Sequence, residues 1–342
     1  MKNLQSPNFS DFRKEYRAKL EKIFAVPADT FDNVKGQFPI SFQIWDGAKQ
    51  EVFKQINADI YNEEGSFLKV KNISSYDNKN FINEWVISTR NRGVEKNIAY
   101  ISCKGNDFSN TNYIFIINNK EQLPHPRGSW VTDKNLIEIA IYFSVRHCIP
   151  ATWLNDRDQF LYPKDGWQED KDFQTNCLTY TLFHGQNRIS STEGTNCWIP
   201  FTEQEVNAPA RFTSHFMIDF IAGKLGKQDA EEQNLFTLAG EENPRQNTAS
   251  APTEPLQFTP EAEAVFEAGK ALWKYYFTKP KPKPNASLYD IREHFQGRNE
   301  KGKMNNKSED ETYNRLIATL RQALATLAKA IEPKVYEYQF LL

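Results

Sequence analysis

The sequence has few of the motifs that hold metals, phosphates or catalytic nucleophiles. Its 4 cysteines include no Cys-x-x-Cys pair, which excludes the common zinc and redox motifs and predicts reduced, mostly buried thiols. It also contains no Walker loop, no Gly-x-Gly-x-x-Gly, no His-Glu-x-x-His and no Gly-x-Ser-x-Gly. Phosphate-cradling loops, dinucleotide folds, zinc proteases and serine hydrolases therefore have no support. We expect neither a catalytic residue nor a metal site in this chain.

Long apolar runs are missing as well. No stretch approaches the roughly 18 consecutive apolar residues of a membrane span, and the N-terminus lacks the apolar core of a signal peptide. The sequence therefore predicts a cytoplasmic protein that does not contact the membrane.

The composition is that of a folded protein. The 342 residues are 39% hydrophobic, 25% charged and 13% aromatic, which is typical of globular rather than disordered chains. The formal net charge is -2, so the surface as a whole cannot attract nucleic acid. Any binding to nucleic acid must then come from a local basic patch.

Apolar periodicity predicts an α+β protein. A helical pattern runs over Ser10–Ile23, and Ile40–Trp45 alternates as a strand does. Further β-like runs occupy residues 51–117, and helical patterns dominate after Thr132. Residues 223–257 are rich in Gly, Gln, Asn, Ser and Pro, which indicates a linker.

The C-terminal third carries a local excess of positive charge. Between Lys270 and Lys307 there are ten basic residues and three acidic ones. Residues 296–307 add glycines and side-chain amides, a mixture that suits contacts with phosphates and base edges. We therefore expect DNA contacts from this segment, although a basic loop that is merely solvated would have the same composition. The expected contact residues are Arg298, Asn299, Lys301, Lys303, Asn305, Asn306 and Lys307.

A second polar stretch, residues 153–163, mixes aromatic and charged side chains. One interpretation is direct contact with DNA through Asn155 and Arg157. A second is an Mg²⁺-dependent nuclease site built from Asp156, Asp158 and Asp165, because hard cations prefer oxygen ligands. A third is a solvated loop whose Asp and Asn side chains cap turns.

Several stretches of the sequence resemble gamma-type adenine-N6 DNA methyltransferases of restriction-modification systems. The segment that begins Phe31-Asp32-Asn33 and continues through Gly36–Asp46 is similar to the end of their catalytic domain. Three later segments look like the C-terminal half of a methylase-like subset of that family. They are Trp153–Pro163, Asn196–Thr202 and Asn285–Lys307.

The resemblance implies the target-recognition part of such an enzyme without its catalytic part. Residues 1–60 would form the edge of the catalytic α/β sheet, 61–222 a mixed α+β target-recognition domain, 223–257 a linker and 258–342 a helical lobe for DNA binding or docking. The chain has no Pro-Pro pair and no Gly-rich loop before a strand, so it lacks the family's catalytic and S-adenosylmethionine motifs. We expect it to bind double-stranded DNA, to be inactive alone, and to use S-adenosylmethionine only when an N-terminal methyltransferase subunit completes it.

The resemblance also implies a base-stacking residue. In the family, an aromatic side chain before the last strand pair of the catalytic sheet stacks on the flipped adenine, since the energy of extruding a base is partly recovered by stacking. Phe31 fits that place best and Phe38 second. The alternative is that Phe31 belongs to the core.

A different class of function remains open. A Ser308–Glu311 capping box predicts a long helix that stops at Pro333 and carries a Leu316–Ile331 apolar stripe. Through that stripe the protein would dock on a methylase or nuclease subunit as a structural partner and would not touch DNA.

Overall fold

The computed structural model describes residues 1–88, 97–124, 127–227 and 251–342. These residues form two small sheets and a set of helices, so the α+β prediction is confirmed. The described residues include no helix with the length and apolarity needed to cross a bilayer. All four cysteines are buried free thiols.

The N-terminal part is a four-stranded sheet preceded by two short helices. The helices are α1 (Lys2–Gln5) and α2 (Ser10–Glu15). The strands are β1 (Lys19–Pro27), β2 (Pro39–Asp46), β3 (Gln55–Tyr61) and β4 (Phe67–Ser74). Their order is β2-β1-β3-β4, with β1 parallel to β3 and the two outer pairs antiparallel.

One face of this sheet buries its own small core. Leu4 of α1 packs there against Ile23, Ala25, Ile60 and Ile73, all fully buried. The opposite face carries exposed apolar side chains around a salt bridge between Lys22 and Asp59. On this face Phe42 of β2 lies opposite Phe24 of β1. Phe24 in turn lies beside Asp59 of β3, which lies opposite Val70 of β4. Phe42 and Val70 are each 52% exposed.

The helix expected over Ser10–Ile23 is wrong beyond Glu15. Residues from Lys19 onward belong to β1, and a bulge lies between Leu20 and Lys22. A bulge adds one residue to a strand, so Leu20 and Ile23 both face the core at a spacing of three. That spacing is the one that an amphipathic helix produces.

The larger part begins with a three-stranded sheet and short helices. The strands are β5 (Ala99–Ser102), β6 (Ile116–Ile117) and β7 (Gly128–Val131), in the order β6-β5-β7. The helices are α3 (Ile82–Ser88), α4 (Leu136–His147), α5 (Lys171–Phe183), α6 (Glu203–Val206) and α7 (Phe216–Ile221). Short 3-10 turns lie at Pro7–Phe9, Ala28–Thr30, Phe108–Tyr113 and Lys120–Gln122.

Three C-terminal helices complete this part. They are α8 (Pro260–Phe277), α9 (Leu288–Gln296) and α10 (Glu311–Glu337). The cap of α10 is Asp310 rather than Ser308, and the helix continues past Pro333, which lies inside it. The expected stop at Pro333 is therefore wrong.

The cores do not divide where the sequence boundaries were drawn. The boundary at residue 60 falls inside β3, whose partner β4 shares its sheet and core. The expected recognition domain (61–222) and helical lobe (258–342) contribute to one continuous hydrophobic cluster that runs from Ile82 to Leu341. Most of the expected linker, residues 228–250, lies outside the described residues.

Candidate nucleic-acid interface

The basic segment after α9 folds as a tight hairpin. Arg298 and Met304 form an antiparallel bridge, and the amide of Asn299 donates to the carbonyl of Lys303 at 2.9 Å. Gly297 and Gly302 have φ angles of 62° and 71°, which L side chains rarely adopt. The two glycines thus allow the chain to leave the helix and turn back on itself. We call residues 297–307 the basic hairpin.

Two of the asparagines expected to read DNA hold this hairpin together instead. The Asn299 side chain accepts the amides of Lys301 and Lys303, each at 3.0 Å. The Asn305 side chain donates to the carbonyl of Gln296 at 2.9 Å, and the Gln296 side chain donates back to the carbonyl of Asn305 at 2.6 Å. Both amide side chains therefore have structural partners inside the protein.

Arg298 also points into the hairpin rather than away from it. Its guanidinium donates to Glu293 at 2.5 Å, to the carbonyl of Gly302 at 2.7 Å and to the hydroxyl of Tyr289 at 2.9 Å. Hydrogen bonds to Tyr289 and Glu293 raise the pKa of this guanidinium. Arg298 stabilises the turn, and its charge is partly compensated by Glu293.

The remaining hairpin residues are the ones available to a partner. Lys301, Lys303, Asn306 and Lys307 are exposed. None of these three lysines forms a salt bridge with a carboxylate within the described ranges. The hairpin therefore presents three uncompensated cations and one exposed amide on a fixed turn.

A group of arginines that sequence reasoning missed lies beside the hairpin. Arg292 lies one turn after Tyr289 on α9, and Tyr289 also receives the Arg298 hydrogen bond. Arg188 stacks on Phe115, with 4.1 Å from the guanidinium carbon to the ring centre. Desolvation lowers the pKa of both Arg188 and Arg292. Arg321 of α10 is close enough to Arg292 to disfavour its charge further.

The stretch around Asn155 is a capped loop that joins the two parts of the protein. The Asn155 side chain accepts the amide of Thr152 at 2.7 Å and donates to the carbonyl of Pro150 at 2.9 Å. Arg157 is paired with Asp156 at 2.9 Å. Asn155 thus has the turn-capping contacts of a solvated loop, and it lines a polar groove together with Lys69 and Lys71 of β4.

The carboxylates of this loop do not assemble a cation site. Asp158 accepts Gln5 at 2.9 Å and Lys71 at 2.6 Å, so both of its oxygens are occupied. Asp165 accepts the Gln168 side chain at 3.1 Å. Desolvation raises the pKa of Asp156. In the part of the chain that the structure describes, no group of three His, Cys, Asp or Glu side chains has a metal-binding arrangement, and the nuclease interpretation loses its site.

Phe31 and Phe38 lie in the loop that connects β1 to β2. Phe31 is 38% exposed and Phe38 42% exposed, so Phe31 is not a core residue. The ring of Phe31 lies 6.2 Å from that of Phe42, at 44°. Both rings are thus accessible, but in the N-terminal part of the protein, on different elements from the basic hairpin.

Comparisons with known proteins identify no relative. No family model, no curated protein and no solved structure matches the chain.

Proposed function

We propose that this chain binds double-stranded DNA as the recognition part of an adenine-N6 DNA methyltransferase, with a separate subunit providing the methyl donor site. The resemblance of the sequence segments supports the enzyme class. The basic hairpin supports the binding. Residues 31 and 38 remain the proposed stacking positions because both rings are accessible.

The observation that carries the proposal is the order of the basic hairpin. A solvated lysine-rich loop needs no internal hydrogen bonds, yet Arg298, Asn299 and Asn305 all use their side chains to fix this turn. The result is that Lys301, Lys303 and Lys307 project from a fixed backbone. Pre-positioned cations lose less entropy when they bind phosphates than flexible ones do, so this architecture is suited to gripping a backbone.

The test is the salt dependence of DNA binding. Replacing Lys301, Lys303 and Lys307 with Gln removes three charges without touching the residues that hold the turn. The slope of log affinity against log salt should fall by about 0.9 for each phosphate that the variant no longer neutralises, hence by about 2.7 at most. Fluorescence anisotropy of labelled duplexes, from about 50 to 200 mM salt, measures this slope.

A matched control removes three lysines elsewhere. Lys54, Lys79 and Lys164 are also exposed, and none forms a salt bridge with any described residue. Changing these three to Gln alters the net charge equally and should leave the slope close to that of the wild type. An equal decrease of the slope in both triple variants, or wild-type binding without salt dependence, would refute the proposal.

The docking alternative keeps support, but at a different surface. The Leu316–Ile331 stripe is covered by this chain's own helices, because Leu320, Leu324, Leu327 and Ile331 are buried. That stripe is therefore not a free docking face. The exposed face of the N-terminal sheet carries the apolar side chains Phe42, Ile44 and Val70. Its edge strands β2 and β4 have no further strand partner among the described residues.

We propose that the catalytic subunit covers this face. The subunit would carry the S-adenosylmethionine and Asn-Pro-Pro-aromatic motifs that the chain lacks, and the face would be the edge at which the catalytic sheet is interrupted. Ile44 and Val70 are each more than half exposed, and Ile44→Asp with Val70→Asp should abolish co-purification with such a subunit without weakening DNA binding by the isolated chain. Unchanged co-purification would exclude the sheet face as the contact.

A further inference from the structure

A cavity of about 340 Å³ lies between the end of α5, helix α9 and helix α10. Most of its wall is apolar, with Phe183, Leu288, Ile317 and Leu324 among the lining residues. The side chains in the wall that carry polar groups are Tyr180, His184, Arg292 and Arg321. Because Arg321 is exposed, the cavity reaches the surface of the protein.

Arg292 is held in the wall at a fixed position. Its Nη1 donates to the carbonyl of Gly185 at 2.9 Å. A Cβ at Gly185 would lie 3.2 Å from that Nη1, so the absence of a side chain there permits the close approach. The Nε of Arg292 is fully buried and has no hydrogen-bond partner among the described residues. The Nη2 of Arg292 forms no hydrogen bond with a described residue, so this nitrogen can still donate to a ligand.

The charge around the cavity is one-sided. Arg188, Arg292 and Arg321 lie near one another, and Arg188 and Arg321 both act to lower the pKa of Arg292 after the larger effect of desolvation. Within the described ranges, no carboxylate forms a salt bridge with any of the three. Guanidinium groups bind phosphate oxygens with two parallel hydrogen bonds. A phosphate, which carries up to two negative charges, offsets this cluster better than one carboxylate.

The other wall is suited to a flat apolar group. Burial, together with the nearby charge of Arg292, lowers the pKa of His184 to about 4, so the imidazole is neutral at physiological pH. The ring of His184 is stacked with Tyr180, with 5.0 Å between ring centres and 27° between planes. Ligand pockets for small molecules are commonly about 300 to 1,000 Å³, so this cavity has the size for a single small ligand.

We propose that this cavity binds a nucleotide, with its phosphate on Arg292 and Arg321 and its base or sugar against the apolar wall. The proposal is independent of the basic hairpin and of the methyltransferase resemblance. Two sources share the same chemistry: a free mononucleotide and an unpaired nucleotide at the end of a DNA strand.

Calorimetric titration with three probes tests the ligand class. Adenosine 5′-monophosphate should bind at least about tenfold more tightly than either adenosine or inorganic phosphate, because only the nucleotide uses both walls. Absence of binding by adenosine 5′-monophosphate would overturn the proposal. Equal affinity for inorganic phosphate would also overturn it, since the cavity would then be an anion site only.

Paired variants on one helix test the place. Arg321→Met should weaken binding of adenosine 5′-monophosphate about tenfold, the effect of losing one charged hydrogen bond. Arg315→Met is the matched control, because Arg315 is exposed on α10 but does not line the cavity. Equal weakening in both variants, at unchanged thermal stability, would overturn the assignment.

Competition with oligonucleotides distinguishes a free mononucleotide from a DNA end as the ligand of this cavity. Displacement of adenosine 5′-monophosphate by a 5′-phosphorylated oligonucleotide, but not by its unphosphorylated twin, assigns the site to DNA ends. Displacement by neither assigns it to free nucleotides, and both results support a nucleotide site. At about 0.15 M salt the Lys301, Lys303 and Lys307 triple variant should retain nucleotide affinity, so failure of DNA binding through the hairpin leaves this test intact.

Discussion

The buried carboxyl of Glu138 should make the free energy of unfolding fall as pH rises. The residue lies in the first turn of α4 and is 5% exposed, and its Oε2 has no hydrogen-bond partner among the described residues. Burial raises the pKa of this carboxyl from 4.5 to about 7. A carboxyl whose folded pKa is raised is charged more easily in the unfolded state, so folding stability is lost between pH 4.5 and about 7.

The expected loss follows from that shift. At about 1.4 kcal/mol per pH unit, the change from 4.5 to about 7 is on the order of 3 kcal/mol, fully developed above the folded pKa. Glu138→Gln cannot ionise and should lack this component. Denaturant unfolding at about pH 5 and about pH 8 measures the free energy of unfolding of both proteins. The free energy of unfolding of the variant minus that of the wild type should change by on the order of 3 kcal/mol between the two pH values.

An exposed glutamate provides the control for this measurement. Glu263→Gln changes an exposed carboxyl in the first turn of α8, and its curve should run parallel to the wild type. If the difference between Glu138→Gln and the wild type is the same at both pH values, burial does not perturb Glu138 and the argument fails.

Three further variants test other contacts. Arg298→Ala should raise the amide hydrogen exchange rate of Lys301 about fivefold, because the turn loses a partly exposed charged contact of about 1 kcal/mol. An unchanged exchange rate would mean that the turn holds without the guanidinium. Asp77→Asn leaves the buried guanidinium of Arg13, now 2.6 Å from Asp77, without its counter-ion, and should cost about 3 to 5 kcal/mol in denaturant unfolding. Arg13 lowers the pKa of Asp77, so in the wild type this contribution persists at neutral pH and disappears as pH falls through the folded pKa. Gly269→Ala would place a Cβ 2.3 Å from the ring of Phe183. The variant should have a lower melting temperature, because overpacking costs about 1 to 3 kcal/mol and the gain in helix propensity is only about 1 kcal/mol. A second substitution, Phe183→Leu, should restore the melting temperature.

Local patterns predicted the fold where each element follows one period. The strand at Ile40–Trp45 is present in the structure, and so are helices after Thr132, where helical patterns dominate. The helix over Ser10–Ile23 failed because the bulge in β1 changed the spacing from two to three. Sequence periodicity cannot distinguish these cases, since a bulge leaves no composition signal of its own.

The candidate site was predicted by composition but not in its roles. The excess of Lys and Arg indicated the basic hairpin, yet Arg298 and Asn299 turned out to hold the turn. The sequence alone does not distinguish a basic side chain that is exposed to solvent from one that forms a salt bridge with Glu293. Which of the two occurs depends on where α9 ends. Arg188, Arg292 and Arg321 come from distant parts of the sequence and have no common motif, so only the packing of α5, α9 and α10 brings them together.

The hairpin and the arginine cavity are coupled through helix α9. Arg292 lies in α9, and the hairpin lysines follow the end of that helix at Gln296, so their charges interact across solvent, where the Debye length is about 8 Å at physiological ionic strength. Their fields therefore overlap only slightly in physiological salt and strongly in dilute buffer. We expect the Lys301, Lys303 and Lys307 triple variant to weaken nucleotide binding at about 0.01 M salt, where the Debye length is about 30 Å, and to leave it unchanged at about 0.15 M. Titration of adenosine 5′-monophosphate at both ionic strengths measures this, and an equal effect at both would mean that the lysines contact the nucleotide directly.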